Sequence, residues 1–513
     1  MLARWELPQT DGSERAPRPH RPRVAVAGLV VAIAAATALT WLFIRDRGER
    51  QQAGEPIAAS STTPAKASVS DPRSDAGDRT APSGMPGEPA SNSLELPEAT
   101  PEALRASALA AVQRLIDDLP QRPEPVALMA LARKRFGQHE AAIECWQRCL
   151  ELDARFADAY HGLGTIALER GKHAEAEAFI RRGLALRPDL PEARIVLADA
   201  LLGQGKHEEA VTVLEEEVGQ FPPRASTVFR LGQTYAQLGR HAEARRSLEQ
   251  AVELDPAAAY PYFALATVCT RLDEKEAAAQ YRAQFAERKE QALQAERERL
   301  KQFDDLQEMR SSAAFFHTAA GMIYLRNAQP DKAERLWRLA AAIDPKDQDA
   351  RMRLVEVYEK SGRRDEALTA LEELRQIDPH NALYTVNLAM LRASRQQLGA
   401  AETVLQEGIQ RDPDAAILHA ALAQLYLRSG REYTRARDLA QAAVARQPSA
   451  ANYALLAAAC QQLGDIPAAQ VAVERALAME PQNTELQAFA RRLKQPPASG
   501  PNGTTAADRT KAE

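Results

Sequence analysis

The stretch ADAYHGLGTIALERGKHAEAEAFIRRGLALRPDL, residues 157–190, contains one complete copy of a pattern that recurs every 34 residues. It carries a glycine, an alanine and a proline at positions to which the same residue types return. In the first half of the chain these are Gly137, Gly171, Gly205 and Gly239; Ala142, Ala176, Ala210 and Ala244; and Pro120, Pro188, Pro222 and Pro256, with Ala154 in the missing proline position. Later prolines nearly keep the period, at Pro345, Pro379, Pro413, Pro448 and Pro481. Such self-similarity predicts stacked structural units.

Each unit has the composition of two helices joined by a tight turn. An apolar stretch with helical period leads to the glycine, which can adopt the positive φ that ends a helix. A second helix follows, with the alanine where it must approach its neighbour closely, and the proline prevents it from continuing. Neither helix can bury its apolar side alone, so the units must stack. We therefore expect an all-α chain.

The pattern resembles the tetratricopeptide repeat (TPR) family, whose unit is also 34 residues long. Three units carry the resemblance best: Tyr160, Leu163, Gly164, Gly171, Ala176 and Pro188; Leu231, Gly232, Tyr235, Ala244, Leu248, Ala251 and Pro256; and Gly321, Tyr324, Ala333, Trp337 and Pro345. The resemblance implies a right-handed α-solenoid of about ten helix-turn-helix units. We place them at 123–156, 157–190, 191–224, 225–258, 259–290, 314–347, 348–381, 382–415, 416–449 and 450–483. A half-unit helix at about 101–118 precedes them, and a capping helix at about 484–494 follows.

The regular spacing breaks between Pro256 and Pro345, which lie 89 residues apart, or two units plus 21. Glu274 to about Arg310 is dense in both charge signs and is predicted to form one long helix. The sequence thus predicts a first array over 97–290, a helix extension over 291–313 and a second array over 314–494. The extension is either an over-long, solvated helix or an arm that docks a partner or a second copy.

The N-terminal part predicts a membrane anchor. The 21 residues from Val24 to Ile44 carry no charge, and as a helix they would span about 31 Å, close to the hydrocarbon thickness of a bilayer. Five arginines before this span and three soon after it place the N-terminal segment, 1–23, in the cytoplasm and the repeats outside it. We therefore expect a single-pass protein of a bacterial plasma (inner) membrane.

An alternative for the same segment is a secreted, soluble protein whose signal peptide is cleaved near Ala36-Thr37-Ala38. The segments flanking the repeats, 45–96 and 495–513, are rich in small and polar residues with few large apolar side chains. They are predicted to be a disordered linker and a disordered tail.

Charge and motifs argue against several other functions. A net charge of −5 with both signs interspersed lacks the basic face that nucleic acid requires. The four cysteines, Cys145, Cys149, Cys269 and Cys460, include no CxxC pair, and we interpret them as small core residues. Four histidines recur every 34 residues: His139, His173, His207 and His241. Because successive units lie about 10 Å apart, two of these histidines cannot bind the same metal ion. They are therefore interpreted as exposed turn residues. We predict no enzyme, no cofactor and no metal.

The TPR resemblance also implies a concave groove, lined by the second, fifth, ninth, twelfth and thirteenth residues of each unit's first helix. In the central units these positions carry apolar and aromatic residues suited to a peptide or helix ligand: Ile195, Phe229, Tyr260, Phe263, Phe315, Met322, Leu325 and Met352. The Lys/Asn carboxylate clamp of chaperone-binding members is absent, because its positions hold other residues in the first three units. The asparagine ladder of sugar-transferase members is absent as well.

The sequence therefore predicts a membrane-tethered scaffold that binds protein or peptide partners through its groove. A second hypothesis is an assembly factor or enzyme accessory subunit that docks by the long central helix.

Overall fold

A computed structural model describes residues 96–301 and 304–494, and within these ranges it contains 22 α-helices and no strand. The described residues divide into two compact parts, 96–357 and 358–494. The first part contains α1 (Pro101–Asp118), α2 (Pro123–Arg135), α3 (His139–Leu152), α4 (Ala157–Glu169), α5 (His173–Leu186), α6 (Ala193–Gly203), α7 (His207–Gln220), α8 (Ala225–Gln237), α9 (His241–Leu254), α10 (Ala259–Arg271), α11 (Lys275–Lys301), α12 (Asp305–Arg326), α13 (Pro330–Ile343) and most of α14 (Gln348–Lys360).

The second part contains α15 (Arg364–Ile377), α16 (Ala382–Ser394), α17 (Leu398–Arg411), α18 (Ala416–Ser429), α19 (Tyr433–Arg446), α20 (Ala450–Gln462), α21 (Ile466–Met479) and α22 (Thr484–Lys494). The last helix buries Leu486, Phe489 and Leu493 against the preceding pair and leaves its basic residues outside. It therefore closes the apolar end of the repeats, as a capping helix must.

The turn inside every unit contains one residue with positive φ at the same position. In seven units it is a glycine: Gly137, Gly171, Gly205, Gly239, Gly362, Gly430 and Gly464. In the other three it is Asp273, Ala328 or Gln396, with φ near +60°. The residue after it donates a backbone hydrogen bond to the end of the first helix. In the unit 157–190, for example, the Lys172 N–H donates to the Ala167 carbonyl. The turn geometry is therefore set by stacking, and glycine only makes it easier to adopt.

Small residues allow the two helices of a unit to touch. Ala142, Ala176, Ala210 and Ala244 are all completely buried. A Cβ added at Gly164 would come within 2.6 Å of the Ile180 side chain, which fills the space instead. The periodic glycine and alanine positions are thus packing constraints as well as turn signals.

The predicted continuous helix over Glu274–Arg310 is wrong, because two helices occupy this region. Helix α11 ends at Lys301, and α12 begins at Asp305. The side chain of Asp304 accepts hydrogen bonds from the backbone N–H groups of Leu306 and Gln307, which caps a new helix start. The extension predicted over 291–313 is therefore divided between the end of α11 and the start of α12.

Helix α12 packs against α1 and α2, near the beginning of the repeats. Arg135 on α2 donates to Ser312 (3.1 Å) and pairs with Glu308 (2.9 Å) on α12. The Phe136 ring, which follows α2, contacts the Phe316 ring with 5.7 Å between centroids. The first part of the chain therefore closes on itself through α12.

Helix α1 completes this closure. His317 on α12 is fully buried and bonds to the Ser107 hydroxyl, with 3.2 Å between Nε2 and Oγ. The Tyr324 hydroxyl donates to the carboxylate of Asp118, and Lys332 pairs with the same carboxylate at 2.8 Å. In a regular stack, the second helix of the preceding unit packs against each first helix. Helix α1, the half-unit helix, takes this place beside α12 and covers its apolar side.

No helix within 96–301 and 304–494 is both long and apolar enough to cross a membrane. The predicted anchor 24–44, most of the linker 45–96 and the tail 495–513 lie outside the described residues.

Candidate peptide-binding surface

The eight predicted groove residues differ in how far the fold exposes them. Tyr260 is 71% exposed and Phe263 55%, the two most exposed aromatic side chains of the described repeats. The remaining six are half-buried: Ile195, Phe229, Phe315, Met322, Leu325 and Met352. Phe229 packs against the apolar core of units 191–258, and Phe315 contacts Phe316 edge-on at 5.2 Å in the closure. Only the pair on α10 therefore offers large aromatic area to a ligand.

Phe263 has a neighbour that the sequence pattern did not single out. The Phe285 ring on α11 lies 5.3 Å from it, centroid to centroid, with the ring planes tilted by 50°. Lys289 lies one turn further along α11, with its ammonium 5.7 Å from the Phe285 ring centroid. One turn before Phe285, the Arg282 guanidinium donates to the Thr270 hydroxyl at 2.9 Å. We call the surface formed by Phe263, Thr270, Arg282, Phe285 and Lys289 the open face.

The absence of a covering helix explains why the open face is accessible. In a solenoid, the first helix of the next unit stacks on each helix pair and covers it. The next helix after α11 is α12, which packs against α1 and α2 instead. The fifth residue of the first helix is buried or half-buried in the other units, for example in Ala127 and Phe229, whereas Phe263 is exposed.

Charges along the earlier units are paired. Arg187 binds Asp158 through two hydrogen bonds of 2.6 and 3.1 Å, and Arg224 binds Glu192 at 2.8 Å. Asp199 pairs with Arg230, and burial lowers the pKa of that guanidinium. These groove carboxylates are therefore neutralised by arginines of the same protein.

Cations around the open face differ in this respect. Arg271, Arg282 and Lys289 are exposed, and none of them forms an ion pair with the described residues. Glu287 and Glu290, which flank Lys289 in the sequence of α11, accept hydrogen bonds from Gln291 and Gln294 on their own helix. The open face thus combines two aromatic rings in tilted contact with positive charge that has no carboxylate partner among the described residues.

The periodic histidines begin the second helices of the first units, and the interpretation as exposed turn residues needs correction. His139 is exposed, but His173, His207 and His241 are half-buried. The His173 ring lies against Gly203 of the next unit, where a Cβ would come within 2.3 Å of its Nδ1 atom. This histidine fills an inter-unit contact because the facing residue has no side chain.

Thiol chemistry is disfavoured at the cysteines. Cys149 is fully buried, its thiol donates to the Pro123 carbonyl at 3.4 Å, and burial strongly raises its pKa. The pKa values of Cys145, Cys269 and Cys460 are raised by burial as well. Such thiols stay protonated and react poorly. Within the described ranges, no three His, Cys, Asp or Glu residues are grouped to hold a metal.

Similar proteins were found at the levels of family, sequence and structure. Four tetratricopeptide repeat models match residues 167–226 and 324–394, 225–258, 127–191 and 386–451, and 453–475. A curated relative, "Cellulose synthase operon protein C" of Pseudomonas fluorescens (strain SBW25), is 32% identical over 129 residues. This alignment covers 24% of the present chain but only 10% of the relative.

Two solved structures illustrate the likeness of fold. One is YrrB, described as a TPR protein with an unusual peptide-binding site (20% identity, TM-score 0.33, covering 36% of this chain and 97% of that one). Another is MamA 41-end from Desulfovibrio magneticus RS-1 (21% identity, TM-score 0.32, covering 33% and 96%). The scores are too low to carry a functional argument. Because the family models together match more than half of the chain at the repeated positions, the chain belongs to the tetratricopeptide repeat family.

Proposed function

We propose that this chain is a membrane-tethered scaffold that binds a segment of a partner protein at the exposed aromatic residues of α10. TPR units form protein-interaction scaffolds, and this family assignment supports the general class. The observation that carries the specific site is the exposure of Tyr260 and Phe263 on one helix. Large aromatic side chains left in water are unusual, and they commonly mark an interaction surface.

The free energy available from these two rings is large enough for their removal to change affinity measurably. Completing the burial of a half-exposed Phe contributes roughly 1 kcal/mol, about half of the value for a fully buried side chain. Tyr260 adds a similar amount and keeps a hydroxyl for a hydrogen bond. Two such anchors therefore change affinity by about thirtyfold, at about 1.4 kcal/mol per factor of ten.

A capture experiment tests the proposed site. The full chain and a Tyr260→Ala, Phe263→Ala variant are purified from membranes with their bound proteins, which are then quantified by mass spectrometry. A protein that depends on this site is reduced in the variant, whereas a matched control, Val471→Ala, retains it. Val471 is 61% exposed on α21 in the other compact part, so it tests for an effect of removing exposed apolar surface in general. Undiminished capture by the double variant would reject the site.

The membrane tether is supported by the 21 uncharged residues from Val24 to Ile44. Alkaline carbonate extraction separates integral from peripheral proteins, and the mass of the mature N-terminus separates an anchor from a cleaved signal. We expect the chain to stay in the membrane fraction with its N-terminus uncleaved. A mature N-terminus near Leu39 would instead establish the secreted alternative. Protease accessibility of the repeats in spheroplasts tests the expected orientation, with the repeats outside the cytoplasm.

A second candidate function, an assembly factor or accessory subunit, is favoured by α11. Its 27 residues extend about 40 Å, so they run well past its partner α10, which has only 13. In the distal half Leu293 is 43% exposed and Leu300 60%. A Leu293→Ser, Leu300→Ser variant keeps the helix but removes its apolar contacts. Loss of a partner in this variant, but not in the Tyr260/Phe263 variant, would identify α11 as the docking element.

A further inference from the structure

The open face lacks both the apolar cover and the negative charge that the same surface receives elsewhere in the fold. At other junctions in the first part, the next unit's first helix covers the apolar side chains of the preceding pair. Acidic groups of the following unit also meet cations there, as Glu169 meets Lys134 at 2.8 Å and Glu209 meets Arg181 at 2.8 Å. At the open face no following helix covers Phe263, which is 55% exposed, and Phe285 lies half-buried beside it.

We propose that the open face binds an amphipathic helix of a partner protein, with an apolar stripe flanked by carboxylates. This inference rests on the proposed binding function and names the chemistry of its ligand. The occupant would take the place that a sixth unit's first helix would have if α12 continued the stack. Its apolar stripe would cover the two tilted rings, and its acidic side chains would meet Arg282 and Lys289 of the open face and Arg271, which follows Thr270 at the end of α10.

A helix fits this surface better than an extended segment for a geometric reason. Phe263 and Thr270 lie two turns apart on α10, and Arg282, Phe285 and Lys289 share one side of the antiparallel α11. The two helices thus form a shallow groove about two turns long, the same kind of surface that a first helix enters at every regular junction. The side chains of a docked helix at i, i+3, i+4 and i+7 match this length.

Charge complementarity predicts that the side chains of the partner helix are negatively charged. Three exposed ion pairs together change affinity by about tenfold. Salt screens these contacts at distances beyond about 10 Å at 0.1 M ionic strength, so the preference must weaken as salt rises. A lysine-bearing helix would meet like charges and bind less well than an uncharged one.

Matched synthetic peptides test the inference. The probes are 18-residue helical peptides with a leucine stripe at i, i+3, i+4 and i+7, flanked by Glu, by Gln or by Lys. A fourth peptide is the Glu version with a central proline. Binding to the full chain in nanodiscs of uncharged lipid is measured by fluorescence anisotropy at low and high salt. We expect the Glu peptide to bind about tenfold more tightly than the Gln peptide at low salt, with a smaller difference at high salt.

Variants of the chain locate the binding. An Arg271→Glu, Arg282→Glu, Lys289→Glu variant should invert the preference, so that the Lys peptide binds more tightly. The matched control, Arg437→Glu, removes a positive charge from α19 in the other compact part and should leave the order unchanged. Phe263→Ala should weaken the Glu, Gln and Lys peptides alike, because it removes the apolar contact that all three share.

Several outcomes would overturn the inference. Equal affinity of the Glu and Lys peptides, both lowered by Phe263→Ala, would reject the acidic partner while the proposed binding function stands. Undiminished binding of the proline peptide would reject a helical ligand. Failure of the Glu peptide to bind would also reject the inference. A last outcome concerns lipid. If vesicles of anionic phosphatidylglycerol bind the native chain but not the triple variant, and the peptides show no charge preference, the cations contact lipid instead of an acidic helix.

Discussion

Acidification should weaken the closure between α1 and α12 through one buried histidine. The His317 ring is inaccessible to solvent, its Nδ1 lies 2.8 Å from the Ala313 carbonyl and its Nε2 faces the Ser107 hydroxyl. With Nδ1 donating to that carbonyl, Nε2 is left to accept from Ser107. Burial lowers the pKa of His317 from 6.5 to about 4, and the positive charge of Arg114 contributes in the same direction, against the Ala313 hydrogen bond.

The sign of the effect follows from proton linkage. Because the pKa is lower in the folded state, the unfolded chain binds more protons between pH 6.5 and about 4. The contribution of neutral His317 is therefore complete above pH 6.5 and is lost as pH falls toward 4. Over the whole range it amounts to about 3 kcal/mol, and about 2 kcal/mol of it is lost by pH 5. Asp118, whose pKa is lowered by hydrogen bonds from Lys332 and Tyr324, responds only in more acidic solution, below its usual 3.8.

Hydrogen exchange of the α1 amides measures this closure locally. Opening free energies are compared at pH 7.5 and pH 5, after correction for intrinsic exchange rates, in the native chain and in a His317→Leu variant. The variant keeps an apolar side chain of similar size and has no group that titrates at this position. We expect the native closure to lose about 2 kcal/mol more than the variant between the two pH values. Equal losses in both proteins, within about 0.5 kcal/mol, would refute the reasoning.

Two further predictions concern the stability of single units. Trp337 is fully buried, and its indole N–H donates to the Thr318 carbonyl at 3.0 Å. Trp146 is buried at the same position of its unit, but its indole N–H has no partner in the described residues. Trp337→Phe should therefore cost about 2 kcal/mol more than Trp146→Phe in urea unfolding, and equal costs would contradict this account. Ala328→Gly should stabilise the chain by about 1 kcal/mol because it relieves a positive φ of 57°. The reverse change, Gly171→Ala, should destabilise it by a similar amount in the same assay.

Local features of the repeats were readable from the sequence because each depends on a short segment. A glycine such as Gly171 marks a turn that needs positive φ, and the alanine five residues later marks a close helix contact. The same turn forms at Asp273, where the sequence gives no such signal, since stacking of the helix pair imposes it. Segment spacing therefore predicted the helices even in the units whose turn residues depart from the pattern.

Contacts between distant segments could not be predicted in this way. The pairing of Tyr324 with Asp118 joins residues 206 positions apart. Tyrosine also stands at the position of Tyr324 in other units, as Tyr235, Tyr358 and Tyr426, so its own segment does not identify this partner. The Asp304 cap is a local signal that does stand in the sequence, since an Asp can cap a helix start wherever the chain turns. The sequence alone does not distinguish this cap, because a charged helix tolerates acidic residues throughout.

The candidate site shows the same division. The resemblance to the TPR family, applied in the repeat register, predicted that Tyr260 and Phe263 line the groove side of a first helix. Their exposure was decided by the tertiary structure, in which α12 packs against α1 and leaves the open face uncovered. Phe285 and Lys289 became part of the surface for the same reason. The periodic pattern thus determined the helices and their stacking, whereas long-range packing, which depends on complementary surfaces far apart in the chain, decided where the stack closes and what remains free to bind.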